Sequence, residues 1–225
     1  MLSSQQYIHQ FEEGFWAQEN PERAKKLKAY LKDKFEIIGI DTTARRKVQN
    51  EVFKKFGFPV QDWRKLIDEL WEMPHREFQW VGVDILIKAK KYYAEEDLPF
   101  FEKLIVTKSW WDSVDMIIAH GFGEYFKKFP GKINRTLNYV ESDNIWLQRT
   151  AILFQLKYKK QTDNQLLSDY IVELSGSKEF FVQKAIGWIL REYAKVNPHW
   201  VVEFVNSHTL KPLSKREALK NFSLK

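Results

Sequence analysis

The segment best suited to chemistry is residues 110–115, which read Trp-Trp-Asp-Ser-Val-Asp. Asp115 follows Trp111 by four residues, so in a helix the carboxylate and the indole occupy one face. Two interpretations remain open. Asp115 either caps or pairs with a neighbouring arginine as a structural group, or it is directed at a cationic ligand, which a tryptophan face also attracts. Asp112 fits a supporting role better than a carboxylate pair with Asp115.

Basic residues recur near the starts of later helices. Arg149 and Lys184 occupy comparable positions, and Arg191 follows Trp188 by three residues on the same helical face. Residues 45–47, Arg-Arg-Lys, lie at the start of an earlier helix. Such side chains along one surface would suit a phosphate backbone. The alternative interpretation is that each is an ordinary solvated charge.

Several other classes of site are excluded by the residues present. The chain has no cysteine, which excludes disulfides, thiolate zinc sites and a cysteine nucleophile. Its five histidines lack metal-ligand spacing, and neither a phosphate-binding loop nor a dinucleotide fingerprint occurs. We therefore predict no metal and no cofactor. The segment 121–123, Gly-Phe-Gly, is typical of a helix bend or of tight packing.

The 225 residues have a globular composition with a basic balance. Hydrophobic residues make up 44% and charged residues 29%, which is typical of a folded domain. No apolar run approaches the roughly 20 residues of a membrane helix, and no secretory signal is recognisable. We expect a cytoplasmic protein without a membrane partner. The net charge of +6 favours polyanions, and the many aromatic residues would serve either a core or stacking platforms for bases.

Helical periodicity runs through almost the whole chain, and no alternating strand pattern is found. Asp41 and Asn144 are typical helix caps. The apolar stripes of the first third comprise Tyr7, Phe11, Phe15 and Trp16; Leu27, Tyr30, Leu31 and Phe35; Val48, Val52, Phe53 and Phe56; and Trp63, Leu66, Ile67, Leu70 and Trp71. Predicted breaks lie at Asn20-Pro21, Gly57-Phe58-Pro59, Met73-Pro74 and Pro130-Gly131.

A repeat organises the second half of the chain. Trp111, Trp146 and Phe181 recur at a spacing of 35 residues, and each opens an apolar helix. Paired helices at a fixed period predict an all-α fold, an α-solenoid of HEAT-like repeats with a concave basic groove. We expect one domain over residues 1–225. Further predicted helices run from Phe78 to Ala89, from Asp97 to Ile105 and from Asn164 to Leu174.

With these residues in place, nearly the whole chain resembles the AlkD-like DNA alkylation repair family of HEAT-like DNA glycosylases. Four segments in chain order carry the resemblance. They are Ser-Trp-Trp-Asp-Ser-Val-Asp at 109–115, Asn-Ile-Trp-Leu-Gln-Arg-Thr-Ala at 144–151, Ala-Ile-Gly-Trp-Ile-Leu-Arg-Glu-Tyr at 185–193 and Leu-Ser-Lys-Arg-Glu-Ala-Leu-Lys at 213–220. Residues 28–32 and 39–42 also look like the N-terminal segment of the family.

The resemblance implies a hydrolase, a DNA-alkylpurine N-glycosylase of base excision repair. Its substrate would be double-stranded DNA carrying cationic purines such as 3-methyladenine and 7-methylguanine. The implied catalytic carboxylate is Asp115, with Trp111 and Trp188 flanking it at the lesion. Implied contacts to the DNA backbone are Arg149 and Tyr30, with Thr42, Arg45, Arg46 and Arg191 as weaker candidates. The repeat pattern, apart from the resemblance, adds Lys184.

The chemistry of alkylated bases fits this assignment. A positive base is a good leaving group, and its departure leaves an oxocarbenium-like sugar that a preorganised carboxylate stabilises. The resemblance implies neither metal nor redox cofactor, and we expect a monomer that associates with the nucleoid when bound to DNA. Two alternatives remain: a non-catalytic DNA-binding relative of the same family, and a scaffold for protein–protein interaction.

Overall fold

The computed structural model describes residues 2–222 and is helical throughout its ordered elements. Over these residues the nearest approach to a sheet is an isolated bridge between Glu36 and His75. The predicted all-α fold is therefore confirmed. The chain divides into two compact units, Met1–Ala94 and Glu95–Lys225. A single domain over both units remains a prediction.

The first unit consists of five α-helices with an aromatic core. α1 packs against α3 and α4, and α5 packs mainly against α4. Tyr7, Phe11 and Phe15 of the predicted first stripe are fully buried, as expected when one helix face supplies the core. The helices are α1 (Ser4–Trp16), α2 (Pro21–Tyr30), α3 (Thr42–Phe56), α4 (Trp63–Glu72) and α5 (Arg76–Lys88).

Helix caps in this unit follow the sequence signals. The Asp41 side chain accepts a hydrogen bond from the backbone N–H of Ala44 at 2.9 Å, so α3 begins where its cap predicts. Asn20 and Pro21 mark a start as well as a break, because the Asn20 side chain caps α2 and Pro21 is its first residue.

One predicted helix is shorter than its apolar stripe. The stripe through Phe35 predicts a helix to that residue, but α2 ends at Tyr30. Lys32 and Asp33 adopt φ of 60° and 56°, and the Asp33 N–H donates to the Lys28 carbonyl at 2.9 Å. This is a Schellman termination, which usually shows itself in a sequence as a glycine. Lysine and aspartate occupy the left-handed positions here, so the end of the helix has no glycine to mark it in the sequence.

Gly39 allows the loop after α2 to pass very close to the start of that helix. Its φ is +92°, and a Cβ there would collide with the carbonyl oxygen of Asn20 and lie 2.8 Å from the nitrogen of Ala24. The buried Glu77 carboxylate fixes the same loop by accepting hydrogen bonds from the N–H groups of Ile38 at 3.1 Å and Gly39 at 2.8 Å.

We expect Gly39→Ala to lower the free energy of unfolding by about 3 kcal/mol, combining left-handed backbone strain with overpacking. Gly57→Ala is the matched control, because Gly57 also has a positive φ, +85°, but nothing lies within 4 Å of a Cβ there. That variant should lose less, about 1 to 2 kcal/mol, from backbone strain alone. Urea unfolding of both variants gives the comparison, and equal losses would contradict the close approach at Gly39.

The second unit contains the predicted repeat. Trp111, Trp146 and Phe181 each occupy the first or second residue of a helix, which confirms the three predicted starts. α10 packs against α6, α9, α11 and α12, and α12 packs closely against α14. The helices are α6 (Leu98–Val106), α7 (Trp111–Met116), α8 (Gly123–Lys128), α9 (Arg135–Val140), α10 (Ile145–Leu153), α11 (Asn164–Leu174), α12 (Phe180–Tyr193), α13 (Pro198–Ser207) and α14 (Pro212–Leu219).

The predicted bend at residues 121–123 coincides with a π-helical segment, Ile117–Phe122, between α7 and α8. Such wide turns insert into α-helices where packing or function requires them. A Cβ at Gly123 would lie 2.9 Å from the carbonyl oxygen of Phe154, so glycine permits a tight contact there. Of the two predicted interpretations, a helix bend or tight packing, the tight packing is confirmed.

Candidate functional site

The centre of the candidate site is an ion pair between Asp115 of α7 and Arg149 of α10. The Arg149 Nε donates to Oδ1 of Asp115 at 2.7 Å, and Nη2 donates to Oδ2 at 2.8 Å. This is the two-pronged geometry in which an arginine binds a carboxylate most strongly. The Arg149 side chain is 5% exposed and that of Asp115 is 18% exposed, so the Asp115 side chain keeps some contact with solvent.

A third helix completes the surroundings of Arg149. Its Nη1 donates to the backbone carbonyl of Phe181 in the first turn of α12, at 2.6 Å. The guanidinium carbon lies 5.9 Å from the ring centre of Trp188, also on α12, within reach of a cation–π attraction. One arginine therefore links α7, α10 and α12, and it fixes the direction in which the Asp115 carboxylate points.

An aromatic cluster holds the starts of these three helices together. Trp110, the residue before α7, has its ring centre 5.2 Å from that of Phe181 and 5.9 Å from that of Trp146. Trp146 and Phe181 are 4.9 Å apart. Edge-to-face and tilted pairs at these distances stabilise packing beyond the area they bury. The cluster places the Phe181 carbonyl against Arg149.

The structure thus brings together three residues that the sequence singled out: Asp115, Arg149 and Trp188. Trp111 is partly exposed and begins α7, one helical turn before Asp115. The structural interpretation of Asp115, pairing with an arginine, is realised by Arg149. That pairing does not exclude the chemical interpretation, because each carboxylate oxygen has a lone pair beyond the one that Arg149 uses.

Lys184 and Arg191 share a partner, Glu217, that the sequence does not predict. The carboxylate of Glu217 on α14 lies 3.0 Å from Lys184 Nζ through Oε1 and 2.6 Å from Arg191 Nη1 through Oε2. Hydrogen bonds from Arg191 and then Lys184 lower the pKa of Glu217 to about 2. Glu217 lies within the segment 213–220 that carried the family resemblance, but its position alone assigns it no role.

Acid is expected to weaken the wild-type protein more than a Glu217→Gln variant. The folded-state pKa of Glu217, about 2, lies below its ordinary value of 4.5. Its stabilising contribution is therefore present above pH 4.5 and is lost as the pH falls through about 2. Urea unfolding between about pH 6 and about pH 2 would show the difference in unfolding free energy between the two proteins shrinking. A constant difference would contradict the assignment.

The predicted backbone contacts of the first unit differ in exposure. Tyr30 is 62% exposed, and Thr42 and Arg46 are also exposed. Arg45 is 4% exposed and its Nη2 pairs with Asp84 at 2.9 Å; burial lowers its pKa and Asp84 opposes that effect. In this conformation Arg45 offers almost no guanidinium surface to a phosphate, because its side chain packs between helices.

Neither a metal cluster nor a membrane-spanning helix is present within residues 2–222. No group of three or more histidine, aspartate or glutamate side chains is arranged to bind a metal ion in that range. No helix there combines the length and the hydrophobicity needed to cross a bilayer. The candidate site is therefore described by its own side chains alone. The concave basic groove remains a prediction.

The fold and the site define a class: an all-helical repeat protein with an arginine–carboxylate pair and tryptophans at the meeting point of three helices. Comparison with known families places it more closely. The family model of the DNA alkylation repair enzymes matches residues 11–222, and the chain belongs to that family.

A solved structure supports the same assignment. It is described as a predicted DNA alkylation repair enzyme from Enterococcus faecalis, and it is 32% identical in sequence with a TM-score of 0.85. The match covers 92% of this chain and 98% of that chain. A comparison with curated proteins gave no match.

Proposed function

We propose that this protein is a DNA glycosylase that hydrolyses the N-glycosidic bond of cationic alkylated purines, such as 3-methyladenine and 7-methylguanine, in double-stranded DNA. The observation that carries the proposal is the partly exposed Asp115 side chain, whose carboxylate accepts two hydrogen bonds from Arg149, which itself lies next to the ring of Trp188. Membership of the DNA alkylation repair family supplies the substrate class.

The proposed reaction requires little from the protein beyond a fixed negative charge. The bond between the sugar C1′ and the base nitrogen breaks, and the electron pair leaves with the base, which becomes neutral. Positive charge then develops on the sugar. Asp115 faces that charge with its unused lone pairs, and it orients a water molecule whose oxygen bonds to C1′ and whose proton passes to the carboxylate or to solvent.

Arg149 and the tryptophans have positioning roles in this scheme. Arg149 uses three of its five N–H groups on Asp115 and Phe181 and its side chain is 5% exposed, so in this scheme it orients the carboxylate and has little surface to offer a phosphate of the DNA backbone. Trp188 and Trp111 would contact the sugar and the developing cation through their ring faces. Lys184, Arg191, Tyr30, Thr42 and Arg46 would contribute backbone contacts, which position a duplex without reading its sequence.

Release of free base from methylated duplex DNA tests the proposal. Duplex treated with a methylating agent is incubated with wild-type protein, and free 7-methylguanine is measured by chromatography. Duplex affinity is measured in parallel between about 50 and 200 mM salt. Base release together with salt-sensitive binding is the expected result. Salt-sensitive binding without release would instead identify a non-catalytic DNA-binding protein, and absence of both would favour a protein-binding scaffold.

A further inference from the structure

Two cations on α12 converge on one carboxylate beside the candidate site. Lys184, Trp188 and Arg191 are spaced four and three residues apart, so they share one face of α12. The Glu217 carboxylate receives Lys184 on one oxygen and Arg191 on the other. A phosphate oxygen pair would present a similar target to the same two cations. The arrangement is an anion site occupied by the chain's own carboxylate.

The packing of α14 holds Glu217 in this position. A Cβ at Gly187 would collide with the Cβ of Glu217 and lie 2.8 Å from the carbonyl oxygen of Ser214, so only glycine permits the approach of the two helices. The buried Ser214 hydroxyl donates to the Gln183 carbonyl at 2.9 Å. Glu217 therefore belongs to a closely packed helix pair, which places its carboxylate next to the two cations.

The charges show what the carboxylate does to this face. Glu217 remains ionised at neutral pH, because its pKa is about 2. It halves the positive charge that Lys184 and Arg191 would otherwise present to a polyanion. Both cations stay accessible, with side chains 36% and 23% exposed, and each has N–H groups that Glu217 does not use.

We propose that Glu217 is an intramolecular competitor for a DNA phosphate at the site formed by Lys184 and Arg191, and that it limits the affinity of the protein for duplex DNA. This inference rests on the proposed function, which supplies the polyanion. Such competition would help a repair protein dissociate faster from undamaged DNA and from its product. When a DNA phosphate leaves Lys184 and Arg191, the Glu217 carboxylate takes its place and hinders rebinding.

The test compares Glu217→Gln with Glu192→Gln in binding to unmethylated duplex. Both variants remove one negative charge, and Glu192 lies on α12 but pairs with Lys195 at 2.7 Å instead of the two cations. We expect Glu217→Gln to bind about 3- to 10-fold tighter at about 50 mM salt, with a plot of log affinity against log salt steeper by about 0.9. The change in Glu192→Gln should be clearly smaller.

Three other outcomes would overturn the inference. Equal gains in both variants would show a net-charge effect, and weaker binding by Glu217→Gln would show that Glu217 organises the cations for phosphate. Absence of salt-sensitive binding by the wild type would overturn the DNA role itself, which distinguishes that failure from the first two. If Glu217→Gln does not fold, Glu217→Ala repeats the test, because alanine keeps the Cβ against Gly187 and removes the carboxylate.

Discussion

Replacing Asp115 with asparagine is expected to lower the rate of 7-methylguanine release by about 100- to 1,000-fold, the usual cost of removing a preorganised electrostatic group. Asparagine has nearly the same shape, so the change removes the charge that faces the sugar cation and the base that accepts the proton from water. Duplex affinity should be retained or become somewhat higher, because the Asp115 carboxylate repels phosphate and asparagine does not. Single-turnover release and equilibrium binding measure the two quantities separately.

Asp169→Asn is the control for this variant. Asp169 is exposed on α11 and accepts a hydrogen bond from Gln165 four residues earlier, so its replacement removes the same charge from the same unit. Its release rate should match that of the wild type. If Asp115→Asn released base as fast as Asp169→Asn does, Asp115 would be a structural partner of Arg149 and the proposed mechanism would be lost.

Arg149→Met is expected to lower the free energy of unfolding by about 2 to 3 kcal/mol, because it leaves the partly buried Asp115 carboxylate without its partner and removes the hydrogen bond to the Phe181 carbonyl. The figure lies somewhat below that of a fully buried pair, since Asp115 retains 18% exposure. Base release should also fall, because the carboxylate is no longer oriented. The double variant Asp115→Asn/Arg149→Met should lose less stability than the two single losses combined.

Arg23→Met provides the comparison for an exposed arginine. Arg23 pairs with Asp41 at 3.4 Å, and both side chains are almost half exposed, so little change in stability is expected there. Urea unfolding of five proteins is compared: the wild type, the two single variants of Asp115 and Arg149, their double variant and Arg23→Met. The first four form a double-mutant cycle that gives the coupling between the two side chains. Additive losses in that cycle would mean that the ion pair does not hold the three helices together.

Local signals predicted the helices of this protein well. The predicted helix Asn164–Leu174 has the bounds of α11. Local residues mark both of its ends, because Asp163 caps the start and Gly176 follows the end by two residues. The apolar stripe predicts a helix through Phe35, whereas α2 ends at Tyr30. Lys32 and Asp33 adopt the left-handed conformation that usually belongs to glycine at the end of a helix.

The sequence predicts the individual side chains of the candidate site but not the contacts between them. Helical spacing and the family resemblance predict Asp115, Arg149 and Trp188 as site residues. The hydrogen bond from Arg149 to the Phe181 carbonyl has no signal in the sequence, because every residue has a backbone carbonyl. The role of Glu217 as a partner of two cations is not predictable from the sequence for a related reason. Lys184 and Arg191 lie 33 and 26 residues away on another helix, and only packing brings the three side chains together. Long-range pairing of charges has no local signature.

Because Arg149 links three helices, its contacts also affect how the site is lost by local unfolding. Helices that share nearest-neighbour contacts in a repeat array tend to unfold as cooperative segments. A fluctuation that detaches the first turn of α12 withdraws the Phe181 carbonyl, and one that detaches α7 withdraws the carboxylate, so either event dismantles the site before the whole unit unfolds. The fraction of molecules with an intact site therefore depends on the local stability of three successive repeats. A destabilising change in any of these repeats lowers that fraction, but it does not alter the chemistry in the molecules whose site is intact.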